Sequence, residues 1–302
     1  MQTFVMTGGT SGLGAVAAKI ILRSRNLRLL LGSRGGVISG AETVPLDLAS
    51  LESVRLFSEE VIRRLEGSLI DVLILNAGVN LPTDEKRTID GFETTFAVNH
   101  LAHYLILRNL SPYLAVGGRV VVTSSDTHDP KINRLAPPVG VDAKQLARPE
   151  PGADKDGPFK RGFRAYSTSK LCNLMMVRTF AARPRTRERM VAAVAYNPGF
   201  TPGTGMGRHA SLLLRAALVL LVPILRPILR INSVTQAGTE LADIALGNVV
   251  LPHNRYYASL VRRKLTWPDP SELAQRDDVG NLLWDDSATL VGLEKLDSLS
   301  LG

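Results

Sequence analysis

Cysteine occurs once among the 302 residues, so no internal disulfide can brace the fold and its stability has to come from packing. That residue, Cys172, sits in an apolar helical stretch, the setting of a core thiol rather than a nucleophile. Aromatic side chains amount to 5%, too few to suggest stacking platforms for nucleic-acid bases. The formal net charge is +8, but lysines and arginines are interleaved with acids and build no basic block, so no nucleic-acid partner is expected. A mildly basic surface suits a small phosphate-bearing ligand instead. His100 and His103 stand three apart without a carboxylate or cysteine cluster beside them, which points to packing and hydrogen bonding rather than to a metal. No basic-then-apolar leader precedes the apolar run that begins at Thr3, from which we expect a cytosolic location. There is neither an internal repeat nor a linker, and 45% hydrophobic content over this length predicts one α/β domain across residues 1–302.

What is present is an alternation of strand and helix. Apolar runs recur at 3–7, 27–32, 43–46, 70–76, 118–124 and 190–196, with helical stretches between them. That order predicts a parallel sheet covered by helices on both faces. The first run feeds Gly8-Gly9-Thr10-Ser11-Gly12-Leu13-Gly14 and then a helix beginning at Ala15. Glycines at 8, 12 and 14 allow a sharp turn and a close approach of backbone to ligand, while the free N–H groups of a helix start attract a pyrophosphate. Strand, glycine turn and helix make a dinucleotide cradle, here with the spacing Gly-x-x-x-Gly-x-Gly.

Tyr166 and Lys170 are four residues apart and share a helix face, which sets a phenol beside an ammonium. A free tyrosine ionises near pH ~10, and a fixed neighbouring cation favours the phenolate, moving the group toward acid–base work at cellular pH. A Tyr-x-x-x-Lys pair means little alone, and the upstream glycine turn supplies its context.

Together these residues resemble the short-chain dehydrogenase/reductase family over nearly the whole chain. The landmarks come in order: Thr7-Gly8 to Gly14, Asn76-Ala77-Gly78 after the apolar run from Asp71 to Leu75, Asn99, the pair Ser124-Ser125, Tyr166 with Lys170, and Asn197-Pro198-Gly199. The stretches 98–103, 166–173 and 284–293 are most similar to the branch that holds the retinol dehydrogenases and the light-dependent protochlorophyllide reductases. A cysteine generally follows Pro-Gly in those pigment reductases, whereas Phe200 stands here.

The resemblance implies a Rossmann-like, doubly wound parallel sheet in a single domain, with a tetrad of Asn99, Ser125, Tyr166 and Lys170. Tyr166 would transfer the proton, Ser125 would hydrogen-bond the substrate oxygen, Lys170 would lower the tyrosine pKa and hold the nicotinamide ribose, and Asn99 would anchor a water. Ser125 is preferred to Ser124 because the family's catalytic serine is usually the second of such a pair, and strand alternation lets only one face the site. Gly8, Thr10, Ser11, Gly12, Leu13 and Gly14 would line the cofactor, with Asp47-Leu48 at the adenine, Asn76-Ala77-Gly78 along the ribose and Pro198-Gly199 at the nicotinamide. Thr201 or Thr204 would hold the carboxamide, since Phe200 to Gly205 departs from the usual Pro-Gly-x-x-x-Thr. At the end of the second strand Ser33 and Arg34 stand where an acid would grip a 2′-hydroxyl. A guanidinium matches a 2′-phosphate, so NADP(H) is expected rather than NAD(H).

Beyond a cofactor part of about 1–125, two segments should set the substrate. From Ser125 to Tyr166 the chain runs 41 positions and holds Pro130, Pro137, Pro138, Pro149, Pro151 and Pro158, which predicts an irregular flap over 126–164 near the site. Residues 211–231 approach membrane-span length but carry three arginines and two prolines, so a transmembrane helix is not expected. Their place after Pro198-Gly199 matches the family's substrate lid, about 200–232, and suits a lipophilic small molecule. A peripheral membrane contact through 211–231 and a homo-oligomer stay open. The late stretch 267–270 and the helix of Trp284 would close either the pocket or an interface. The expectation is an NADP(H)-dependent oxidoreductase that interconverts a carbonyl and an alcohol, with reduction of an activated C=C bond or a non-catalytic NADP(H)-binding sensor as alternatives.

Overall fold

The computed structural model describes residues 1–150, 155–202 and 231–293. Strands β1 (Gln2–Thr7), β2 (Leu27–Ser33), β3 (Glu42–Pro45), β4 (Ile70–Leu75), β5 (Leu114–Thr123), β6 (Ala192–Asn197) and β7 (Tyr257–Val261) pair in parallel, and β8 (Lys264–Thr266) folds back antiparallel on β7. Their order in the sheet is β3-β2-β1-β4-β5-β6-β7-β8. The winding therefore leaves β1 toward β3, then restarts at β4 and proceeds the other way. In open α/β sheets the ligand crevice forms at that reversal, beyond the carboxyl ends of the strands.

Described helices, in chain order, are α1 (Gly12–Ile21), α2 (Leu51–Leu65), α3 (Thr94–Phe96), α4 (Ala102–Leu110), α5 (Ala143–Ala147), α6 (Pro158–Ala182), α7 (Pro184–Glu188), α8 (Val234–Leu246) and α9 (Asp277–Leu290). Side chains alternate along each strand, and both faces need apolar cover. Phe4, Met6, Leu29, Leu31, Ile74 and Val121 accordingly join the layer under α1 and α8, while Val5, Leu30, Leu73, Leu75 and Val120 join the layer under α2, α4 and α6. Gly238 lets α8 lie against α1, for a Cβ there would come within 2.5 Å of the Leu13 carbonyl oxygen.

Helix α6 is placed by its first turns. A Cβ on Gly162 would meet the backbone of Leu81 and Pro82 at 2.6 Å, and Arg161 reaches Asp84 at 3.0 Å and Glu85 at 2.8 Å. The loop after β4 thus sets where Tyr166 emerges, one turn further on.

Two sequence expectations change. β7 and β8 were not foreseen. The flap is not irregular throughout: Val141, Ala143 and Ala147 are buried in the core, and the Ala147 carbonyl accepts from the Glu93 amide at 2.8 Å. Trp284 itself is a core residue. It is buried edge-on to Tyr104 at 4.9 Å and stacked on Phe180 at 6.5 Å, so α9 covers α4 and α6. Residues 151–154 of the flap and 203–230 of the expected lid, with Thr204, lie outside the described residues. Among those described, no helix is long and apolar enough to cross a membrane.

Candidate active site

Four strand ends converge at the reversal. β1 delivers Thr7 into Gly8, whose φ of +69° lies in the left-handed region and whose added Cβ would come within 2.6 Å of Ala77 backbone. Gly14, at the start of α1, is tighter still, since a Cβ there would fall 2.0 Å from the Gly8 carbonyl oxygen. Ser11 is the N-cap of α1 but makes no capping bond, and the first turn holds no acid. Its amides and dipole therefore face the crevice without a competing anion. Leu13 points into the core, whereas Thr10 lies under the loop after β2, where a Cβ on Gly36 would meet it at 2.9 Å.

Uncharged side chains join these ends. The Thr7 hydroxyl accepts from the amides of Asn76 at 3.1 Å and Ala77 at 3.2 Å and bonds His103 Nε2 at 3.0 Å. Asn76 Nδ2 donates to the Gly8 carbonyl at 2.8 Å, and its Oδ1 accepts from the Thr123 hydroxyl at 2.9 Å. Neither Thr123 nor His103 was singled out from sequence as part of this framework. Their partners are far away in the chain, and nothing local signals them.

At the end of β2, Ser33 is buried and accepts from the Gly35 amide at 3.2 Å. Arg34 is exposed and makes no hydrogen bond or ion pair among the described residues. Asp47 accepts from the Ala49 amide at 3.0 Å just before α2, and Leu48 packs on the core. The Leu46 amide bonds the Ser33 carbonyl at 3.0 Å, which holds these two loops together.

Just beyond β5 the two serines part. Ser124 is buried and donates to the Lys170 carbonyl at 2.9 Å, while Ser125 makes a side-chain hydrogen bond to Tyr166. Lys170 Nζ donates to the Thr123 carbonyl at 3.0 Å and lies 5.8 Å from the centre of the Tyr166 ring. A Cβ on Gly78 would sit 3.3 Å from that ammonium and 3.2 Å from Asn99 Oδ1, so Asn76-Ala77-Gly78 passes directly over both. Asn99 belongs to a π-helical turn, Ala97–Leu101, a local widening often found at functional sites. Its amide group is committed to protein: Oδ1 accepts from the Val79 amide at 2.8 Å, and Nδ2 donates to the Val79 carbonyl and to Ser169, each at 2.9 Å.

Burial dominates the electrostatics of the pair. Burial pushes the Tyr166 phenol up to about 12, against the lowering hydrogen bond from Ser125 and with a further push from Asp126. Burial also brings Lys170 down to about 8. Desolvation is the largest influence on both groups. The tyrosine is held as a proton donor.

Pro198 and Gly199 turn out of β6, with Gly199 at φ +65° and its amide on Asn197 Oδ1 at 2.9 Å. Thr201 is buried and donates to the carbonyls of Pro198 at 3.0 Å and Gly199 at 3.1 Å. Phe200 bridges to Ile231, and the Asn232 amide returns to the Phe200 carbonyl at 3.0 Å, so the chain leaves and re-enters beside the turn. His100 bonds Ser287 at 3.0 Å and Asn173 at 3.4 Å, and among the described residues no His, Cys, Asp and Glu cluster could hold a metal. Cys172 is fully buried, and burial raises its thiol pKa.

A family profile described as short chain dehydrogenase matches residues 2–136. Protochlorophyllide reductase B of Oryza sativa subsp. japonica is 32% identical over 321 residues, covering 96% of this chain and 77% of that protein. The chain belongs to the short-chain dehydrogenase/reductase family. Protochlorophyllide reductase of Chlamydomonas reinhardtii is 31% identical, covering 97% of this chain and 78% of that one. Among solved structures, an uncharacterized protein from Mycobacterium paratuberculosis aligns with a TM-score of 0.68 at 25% identity, covering 98% of this chain and 95% of the other. A family member from Burkholderia multivorans, solved with bound NADP, shares the fold at a TM-score of 0.54 and 19% identity, covering 86% and 95%.

Proposed function

We propose that the protein is an NADP(H)-dependent oxidoreductase that interconverts a carbonyl and an alcohol on a lipophilic small molecule. The observation that carries this reading is the buried Tyr166, bonded to Ser125 and set beside a buried lysine below the glycine turn. The residues fit a dinucleotide: the turn admits no Cβ at Gly8 or Gly14, and the start of α1 is free of acid. Lys170 has three N–H donors and, among the described residues, one protein acceptor, the Thr123 carbonyl, which suits it to ribose hydroxyls. Arg34 stands exposed where a 2′-phosphate would lie. When bound, NADPH supplies the hydride.

The chain's own part is to hold and deliver a proton. Ser125 positions the substrate oxygen against the Tyr166 hydroxyl, Tyr166 gives up its proton as the oxygen gains charge, and Lys170 stabilises the phenolate left behind. A phenol that burial keeps protonated favours the reductive direction. Phe163, parallel to Tyr166 at 6.3 Å, and the exposed Ile132, Leu135 and Phe200 offer an apolar approach. The cofactor part spans about 1–125, with the flap at 126–164 and the lid at 200–232 acting on substrate in a cytosolic protein.

Reduction of an activated C=C bond is the second reading, favoured by the protochlorophyllide reductases among the relatives. The test is NADPH consumption with aliphatic, aromatic, retinoid-like and steroid-like carbonyls and enones, with the products identified. Alcohol formed by wild type and lost at least about 100-fold in Tyr166→Phe is the expected result. A saturated ketone as product would select the second reading, and NADPH binding without any turnover would overturn both in favour of a sensor.

A further inference from the structure

One buried imidazole reaches out of the turn that carries Ser125. Asp126–His128 forms a single 3-10 turn after β5, and besides its bond to Tyr166 the Ser125 hydroxyl meets the turn itself: the Thr127 amide at 3.3 Å, the Thr127 hydroxyl at 3.1 Å and Asp126 Oδ1 at 3.5 Å. The three bonds inside the turn move with it and cannot anchor it. His128 Nδ1 lies 2.7 Å from the Ser125 carbonyl oxygen, and Nε2 lies 3.2 Å from the Ser271 amide nitrogen, 143 residues away. A carbonyl only accepts and an amide N–H only donates, so Nδ1 carries the proton and Nε2 is bare. The ring is neutral, in one tautomer, with both nitrogens engaged. It is 2% exposed and stands edge-on to Tyr257 of β7 at 5.1 Å, which fixes its plane. A second tie, Asn133 Nδ2 to the Thr127 carbonyl at 3.2 Å and to Ser167 at 2.9 Å, holds the far side of the turn to α6 beside Tyr166.

We propose that His128 is a positioning residue that sets the Ser125 hydroxyl against Tyr166, bracing the end of β5 on the loop at Ser271. This rests on the reading of Ser125 and Tyr166 as the pair that handles the substrate oxygen. The donor at Nδ1 holds the serine, while the acceptor at Nε2 fixes the tautomer that makes Nδ1 a donor. The loop preceding α9 thereby bears on the reacting oxygen through the one ring. A loss of aim at the serine lowers the rate of the chemical step, because misplacement of about 1 Å costs on the order of 100-fold.

The test measures kcat and KM with NADPH and a turned-over carbonyl for His128→Ala, His128→Asn and His128→Gln, each also in a Ser125→Ala background, with thermal unfolding and NADPH binding recorded for every variant. An asparagine amide can take the place of Nδ1 and a glutamine amide that of Nε2. The expected order of kcat is wild type, then Asn, then Gln and Ala together, with Ala about 10 to 100-fold down and NADPH affinity within about 2-fold. Without the Ser125 hydroxyl, His128→Ala should cost less than about 3-fold more, since the two act as a unit. Equal costs in both backgrounds, or Gln performing as well as Asn, would overturn the proposal. Should His128→Ala fail to fold, the comparison of Asn with Gln decides. A wild type that turns over none of the carbonyls would instead sink the functional reading itself.

Discussion

Lys170 costs the fold what it offers the chemistry. Its ammonium is 2% exposed, forms no salt bridge among the described residues, and has the Thr123 carbonyl as its acceptor at 3.0 Å. Burial lowers its pKa from 10.5 to about 8, which corresponds to ~3 kcal/mol by which the charged amine weakens the native state at neutral pH. Lys170→Met keeps the shape and removes the charge. The lost bond to the Thr123 carbonyl costs about 1 kcal/mol, and Asn173 Nδ2 stays 3.4 Å from that oxygen. The variant should therefore gain about 2 kcal/mol, or roughly 4 °C in Tm, while losing turnover by two or more orders of magnitude. Thermal unfolding at pH 7 with and without NADPH checks it. Without NADPH the variant melts higher; with NADPH the wild type gains more, because the amine then finds further acceptors. The folded pKa is depressed, so the unfolded chain holds this proton to higher pH, and wild type should gain stability between pH 8 and 10.5 while the variant does not. A Lys170→Met protein that melts below wild type without cofactor would refute the reasoning.

Arg34→Glu should raise the KM for NADPH about 10 to 100-fold and lower that for NADH, because a carboxylate repels the 2′-phosphate and can accept from a 2′-hydroxyl; an unchanged ratio of the two would remove Arg34 from cofactor choice. Acid should also weaken the fold. Burial holds His100 down to about 4 and His103 to about 3, so the unfolded chain protonates first, and their stabilisation is complete above pH ~6.5 and falls as pH drops below it. Each imidazole contributes about 1.4 kcal/mol per pH unit in that window, while buried Glu93, pushed up to about 7, opposes with one such slope of the other sign. Among these three the net is one imidazole's worth, and His128, lowered by burial, and Glu240, raised by it, act in opposite senses, so Tm should be lower at pH 5 than at pH 6.5; a Tm that rises on acidification would contradict these burial effects.

Much of the site was legible because its signals are local. The glycine turn and the apolar rhythm of the strands need only neighbours in the chain, and β1 into α1 formed as expected. Preferring Ser125 to Ser124 rests on the family resemblance, and in the fold Ser124 is buried on the Lys170 carbonyl while Ser125 bonds Tyr166. β7 escaped notice because it is recognised by pairing with β6 at Ala195 to Asn197 rather than by any mark of its own.

Sequence by itself determined the α/β class, the sheet's parallel sense and the glycine turn at the crevice, since hydrophobic period and turn chemistry are properties of short stretches of chain. Tertiary structure alone decided what state those groups are in. Side by side on a helix, Tyr166 and Lys170 read as a cation lowering a phenol. Folded under Asn76-Ala77-Gly78 and against β5, both are stripped of water, and the loss of solvation raises one pKa and lowers the other. The same holds for the braces between Thr7 and His103 and between His128 and Ser271. Their partners meet only when strand ends distant in sequence are brought together, so burial and long-range contact are what the chain order does not record.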